Sequence, residues 1–248
     1  MRLRCVLLAV FALAGCESLR TSRPVPLVAV RQTDPMVVSE PVAMLVAIAH
    51  AENTPAALET DSLTLFAECL SRGDESNACL HLESYVREHP DQPVFRAQLA
   101  DMLLKTGQPD RARVHLERFA ADARECKRPL WAQRIEAHTR LMDLAAQDDD
   151  PFAESLHRGL GLLVLVEQQD ADPERDEAFR EQVLCKAVKS LNEAKRMNPD
   201  DARVHLALAE VFTRMGNTRA ADVERRAARN VTRPGSLAPS EQRRLAIP

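Results

Sequence analysis

The chain has 248 residues, 45% of them apolar and 28% charged, with only 4% aromatic side chains and seven glycines. That supplies a globular body but leaves too few aromatics and turn glycines for a β-rich one, so helices are expected. With 33 basic against 37 acidic residues, the chain lacks the cationic surplus of a general nucleic-acid binder.

The N-terminus runs from Arg2 and Arg4 through an apolar stretch, Val6 to Leu13, into Leu13-Ala14-Gly15-Cys16. A positive start, a short apolar run and small residues before a cleavage point are features of export. The run is too short to span a bilayer stably. Its last four residues resemble the lipobox of bacterial lipoproteins. That resemblance implies removal of residues 1–15 as a signal peptide, with lipid on the thiol of Cys16 and on its new amino group. Two or more acyl chains hold a protein firmly where one holds it marginally, at about 0.8 kcal/mol per buried methylene. The implied location is the cell envelope. Glu17 stands where an Asp would retain a lipoprotein at the inner membrane, which points, where the organism is Gram-negative, to the outer membrane, facing the periplasm. Arg2 and Arg4 leave with the signal, so 31 basic residues then face 37 acidic ones, a formal charge of −6.

Residues 16–40 hold the lipidated Cys and a stretch with Pro24, Pro26 and Pro35 and no helical period, read as a flexible tether. About twenty flexible residues span roughly 25 Å, enough to lift a domain off the headgroups. Residues 41–58 are expected to form a leading helix. From 59 to 126 the sequence repeats itself: Leu65, Gly73, Ala78, Leu82 and Tyr85 have counterparts 34 residues later in Leu99, Gly107, Ala112, Leu116 and Phe119. Ala187, Leu191, Ala194 and Pro199 keep the spacing of Ala78, Leu82, Tyr85 and Pro90. Leu208, Ala209, Phe212, Gly216, Ala221 and Ala228 complete a further unit.

These residues and offsets resemble the tetratricopeptide repeat, in which antiparallel helix pairs stack. The resemblance implies an all-α fold, an antiparallel helix-pair solenoid. One pair cannot bury its own apolar face, whereas stacked neighbours share a continuous core and leave a concave side open. Phe66 and Arg225 depart from the pattern, one bulky where the family has a small residue, the other charged where it has an apolar one.

Leu99 to Leu208 is 109 residues, three periods of 34 plus seven, so the central section is expected to be irregular. Residues 127–167 are read as an irregular helical pair, with helices from about 129 to 146 and 152 to 168. The run Asp148-Asp149-Asp150-Pro151 ends the first of these, since Pro cannot continue a helix and acids suit the next N-terminus. Residues 168–235 are read as two repeats, the first with a long second helix beginning near Asp172-Pro173-Glu174 and running to Met197. Residues 236–248 are a tail or a short capping helix.

No Gly-rich phosphate loop, His-Glu-x-x-His, Gly-x-Ser-x-Gly or paired-cysteine motif occurs in the sequence. Neither a cofactor, a metal nor a small-molecule substrate is therefore expected, and the chain is read as a non-enzyme. The resemblance implies a protein or peptide partner, contacted through the first helix of each pair. Carried over, the contact residues are Val94, Ala97, Asp101, Leu104 and Lys105, and in the last unit Arg203, Leu206, Glu210, Thr213 and Arg214. Asp101 and Glu210 take the places of the asparagines that clamp a terminal carboxylate in some members, which disfavours that ligand. The expected role is a lipid-anchored scaffold or assembly factor, for example in secretion or pilus biogenesis. The alternatives are a cell-wall-acting enzyme, its site around His138, Asp148 and His157, and a structural link from membrane to wall. The basic C-terminal segment, with Arg225, Arg226, Arg243 and Arg244, suits either an anionic contact or a solvated outer face.

Overall fold

A computed structural model describes residues 61–233 and 237–246, all of them within one unit of the chain, residues 46–248. The expected signal peptide, Cys16, the tether and the leading helix lie outside the described residues. All regular structure among the described residues is helical: α1 (Ser62–Ser71), α2 (Glu75–Glu88), α3 (Pro93–Lys105), α4 (Pro109–Asp122), α5 (Trp131–Gln147), α6 (Pro151–Asp170), α7 (Glu177–Met197), α8 (Ala202–Arg214), α9 (Thr218–Val231) and α10 (Pro239–Ala246), with one 3-10 turn at Ala123–Glu125.

The starts of these helices are written locally. Asp61, Asp74, Asp150, Asp176, Asp201 and Asn217 each accept a hydrogen bond from a backbone N–H in the first turn. Pro93 and Pro109 open helices that lack a side-chain cap. Such positions suit the unpaired donors of a helix N-terminus and, for Pro, its missing N–H. The turns inside pairs share one geometry. At Gly73, Gly107 and Gly216 φ is between 71° and 75°, a region that favours glycine. The next residue then donates back to the carbonyl five residues earlier: Asp74 to Cys69 at 2.9 Å, Gln108 to Leu103 at 2.8 Å and Asn217 to Phe212 at 2.8 Å. The α5–α6 turn follows the same plan without a glycine, with Asp149 at φ 52° and Asp150 donating to Ala145 at 2.9 Å.

The recurring residues form the seam of the stack. Ala78, Ala112, Ala187 and Ala221 are fully enclosed, as are Leu82 and Leu191, and Tyr85 and Phe119 nearly so. A small side chain at the first position lets the backbones approach, and each enclosed leucine contributes about 1.5–3 kcal/mol. Phe66 is also enclosed, so its bulk is absorbed into the core. Tyr85 packs edge-on to Phe95 with centroids 4.8 Å apart, stacks on the cap residue His89, and donates its hydroxyl to Gln92 at 3.0 Å.

The central section departs from simple pairing through α6. It closes a hairpin with α5 at Asp149 and is also the antiparallel partner of α7. At Gly159 of α6 a Cβ would stand 2.6 Å from Leu191 of α7, so the two helices touch almost backbone to side chain. Residues 171–176 contain no helix, so α7 takes α6 as its partner instead of a first helix of its own. Helix α7 begins at Glu177, a few residues beyond the Asp172-Pro173-Glu174 start expected for it. The N–H of Asp172 still bonds to Gln169, its carboxylate caps Glu174, and Asp176 takes over as N-cap. Beyond α9, Leu237 and α10 fold back onto α8 and approach α4.

Candidate functional site

The two sets of expected contact residues are brought to different neighbours. In α3, Val94, Ala97, Asp101 and Leu104 are half-buried and Lys105 is exposed. Asp101 ion-pairs with Arg140 of α5. In α8, Leu206 is buried with Ala202 and Ala228 beneath Leu237. Arg203 holds Asp201 at 2.8 Å and faces Glu117 of α4 at 3.9 Å. Glu210 receives Arg124, Arg214 at 2.9 Å and Arg244 of α10 at 3.1 Å, and Arg214 also pairs with Asp170. Thr213 is exposed, donating to the Ala209 carbonyl and accepting from Arg225. The double role of α6 explains the separation. It shifts the alternation by one helix, so α8, a first helix by its residues, faces α4, a second helix.

Between α4, α5, α6, α8 and α10 lies a cavity of about 60 Å³, lined by Glu117, Arg124, Arg134, His138, His157 and Glu167 among others. Arg124 is the hub of its charged wall. It reaches Glu167 at 3.0 Å and Glu210 at 2.6 Å, while Arg134 takes the other oxygen of Glu167 at 2.6 Å. Burial alone would raise the carboxyl of Glu210, but hydrogen bonds and charge from Arg124, with Arg244 and Arg214, outweigh it and bring the pKa down to about 2. Glu117 lacks such close partners, and burial pushes its carboxyl up against the opposing charge of Arg203 and Arg113.

The two histidines meet on this wall, Nδ1 to Nδ1 at 3.4 Å. Burial, then the charges of Arg203 and Arg113, lower His157 to about 3, and burial with His157 and Arg134 holds His138 well below its usual value. Both rings are neutral at pH 7, one donating to the other. Asp148, expected to share their site, instead pairs with Arg113 on α4. No group of three or more His, Cys, Asp or Glu among the described residues could hold a metal ion.

Sequence reasoning missed this arrangement, because its members lie on five helices and in a 3-10 turn and share no spacing. The one part that the sequence reading named is the neighbourhood of His138 and His157, as the site of the alternative enzyme. A second missed feature is a row of exposed aliphatics. Leu80, Val114 and Val223 occupy the same position two residues after the enclosed alanines of α2, α4 and α9, and α7 has Lys189 there.

No protein-family model matches the chain, and the curated proteins give no significant match. Among solved structures the chain is similar to a crystal structure of MamA at 14% identity, covering 67% of this chain and 94% of that one with a TM-score of 0.34. It is also similar to a MamA fragment, residue 41 to the end, from Desulfovibrio magneticus RS-1, at 14% identity, covering 73% and 99% with a TM-score of 0.30. Likenesses this distant assign neither a partner nor a role.

Proposed function

We propose that the chain is a lipid-anchored cell-envelope protein that binds other proteins noncovalently, as a scaffold or an assembly factor, with Cys16 as the lipidated residue. The observation that carries this reading is the stack of helix pairs, whose seam is apolar and closed while polar helix faces point outward from it. Stacks of this kind offer extended surfaces to partners. One contact face is formed by Val94, Ala97, Asp101, Leu104 and Lys105, and the other by Arg203, Leu206, Glu210, Thr213 and Arg214. Where the organism is Gram-negative, this reading has the protein face the periplasm from the outer membrane.

The rival reading, a cell-wall-acting enzyme, draws on the convergence of His138 and His157 in one cavity. Two facts weigh against it. A space of about 60 Å³ holds a few waters, whereas small-molecule sites run to roughly 300–1,000 Å³. A histidine held near pKa 3 is a poor base at neutral pH, far from the matched value that proton transfer favours.

The test is photo-crosslinking in the native envelope from a reactive amino acid placed at Lys105, with recovery of the captured protein. A single recurrent partner supports the proposal, and its absence at every contact position sinks it. Labelled palmitate should enter the wild type and be lost in Cys16→Ser. Label retained in that variant removes the anchoring part.

A further inference from the structure

Helix α10 lies on one of the two proposed contact faces. Leu237 and Leu245 close over Ala202, Leu206 and Ala228. Arg244 takes Glu210 at 3.1 Å, and Arg243 ion-pairs with Glu125 in the turn after α4, 118 residues away. The last helix thus spans from α8 to the end of α4 and roofs the cavity between them.

Its hold is shallow. Of the eight residues Pro239–Ala246 only Ser240 is fully buried. The fit is also incomplete: Ser240 Oγ and Arg244 Nε are enclosed with no hydrogen-bond partner, and an enclosed donor without an acceptor opposes docking. Burial lowers the Arg244 guanidinium, aided by the nearby charge of Arg124. Arg243 and Glu125 are both well exposed, and pairs of that kind hold weakly. An eight-residue helix has little stability of its own, so without this face α10 loses its reason to be helical.

We infer that α10 is an internal occupant of the α8 face, and that the face, once α10 lifts, takes a basic amphipathic helix from a partner protein. The partner helix presents an apolar side chain to the hollow of Ala202, Leu206 and Ala228 and arginines to Glu210 and Glu125. The inference rests on the protein-binding reading above and names the class of partner for one of its faces. Charge selects that class. Lifting α10 withdraws Arg243 and Arg244 together with one acid, Glu241, and leaves the face more acidic. The arginines that also line the space, Arg124, Arg134 and Arg203, already hold Glu210, Glu167 and Asp201 of the chain itself, so the acids that α10 leaves short of a partner are Glu210 and Glu125.

The test uses the full chain and a fluorescent synthetic peptide with the sequence of residues 237–248, followed by anisotropy. In the double variant Leu237→Asp with Arg244→Glu, which drops α10, the peptide should bind at least tenfold tighter than to the wild type, and should weaken as salt rises. Adding Glu125→Gln should reduce the gain at least threefold. Equal binding to both chains overturns the inference, as does equal binding of a peptide whose arginines are replaced by glutamate. Hydrogen exchange on the unaltered chain gives a reading independent of any variant. Amides of α10 should exchange at least a hundredfold faster than those of α8 and faster still with excess peptide, whereas equal protection overturns the proposal. Should the peptide fail while crosslinks from Lys105 still capture a partner, the inference falls and the protein-binding reading stands.

Discussion

Between α1 and α4 the fully enclosed large side chains are aromatic and aliphatic, with Phe66, Leu82, Leu99 and Phe119 among them. The space between α4, α5, α6, α8 and α10 instead encloses arginines and carboxylates, with Arg124 at the centre and Glu167 and Glu210 around it. The first region is held by contacts that tolerate substitution by degrees, because apolar packing is non-directional. In the second, removing one partner leaves the others charged and buried. The difference teaches where the stack can evolve freely and where it is committed to particular residues.

The comparison is broken most severely at Glu210. Glu210→Ala leaves Arg124, Arg214 and Arg244 around an empty centre and should cost about 3–5 kcal/mol in denaturant unfolding. Equal loss from Glu83→Ala, whose partner Arg111 is exposed, would erase the distinction, since that change should cost under about 1 kcal/mol.

Acid should find the second region first. His157, held near 3, and His138, held well below its usual value, stay neutral in the folded chain, while in the unfolded chain they take protons near 6.5. Unfolding therefore binds protons, and stability should fall as pH drops below about 6.5, by up to about 1.4 kcal/mol per pH unit for each histidine. Glu117, raised by burial, offsets part of this just above pH 4.5. Below about pH 4.5, Glu210 adds to the loss, because its depressed carboxyl stays ionised in the fold down to about 2. Replacing both histidines by leucine should flatten the slope between pH 6.5 and 5, measured by urea melts. An unchanged slope would mean that they do not report on this cavity.

Two glycine substitutions sharpen the contrast at smaller scale. Gly159→Ala drives a methyl into Leu191 and should cost about 1–3 kcal/mol by overpacking. At Gly107 an added Cβ meets nothing within 4 Å, so Gly107→Ala should cost only the strain of φ 71°, about 1–2 kcal/mol. Thermal melts rank the two. A harmless Gly159→Ala would show that α6 and α7 can slide apart.

The legible part of this molecule is the part whose residues repeat. Gly73 and Gly107 mark turns by a backbone requirement, and Ala78 and Ala112 mark close approach by size, so equal offsets announce equal structure. Asp149 escaped because an aspartate in the glycine position looks like one more acid in an acidic turn. The doubled role of α6 showed only as a remainder of seven residues. The α8 face was read as open because Arg203, Leu206 and Glu210 carry no mark of what covers them. Their partners Arg124, Leu237 and Arg244 lie 31 to 86 positions away in the chain, and charged pairs have no period by which to find each other. The arginines of the C-terminal segment looked like a solvated or anion-seeking surface, yet Arg243 and Arg244 are turned toward acids of their own chain.

From α1 to α9 the described chain makes nine hairpin-linked passes, an odd number. Pairs alone would return the polypeptide to the rim from which it set out. With the additional pass it leaves α9 at the opposite rim from the start of α1. Anything joined after Val231 therefore departs from the far edge.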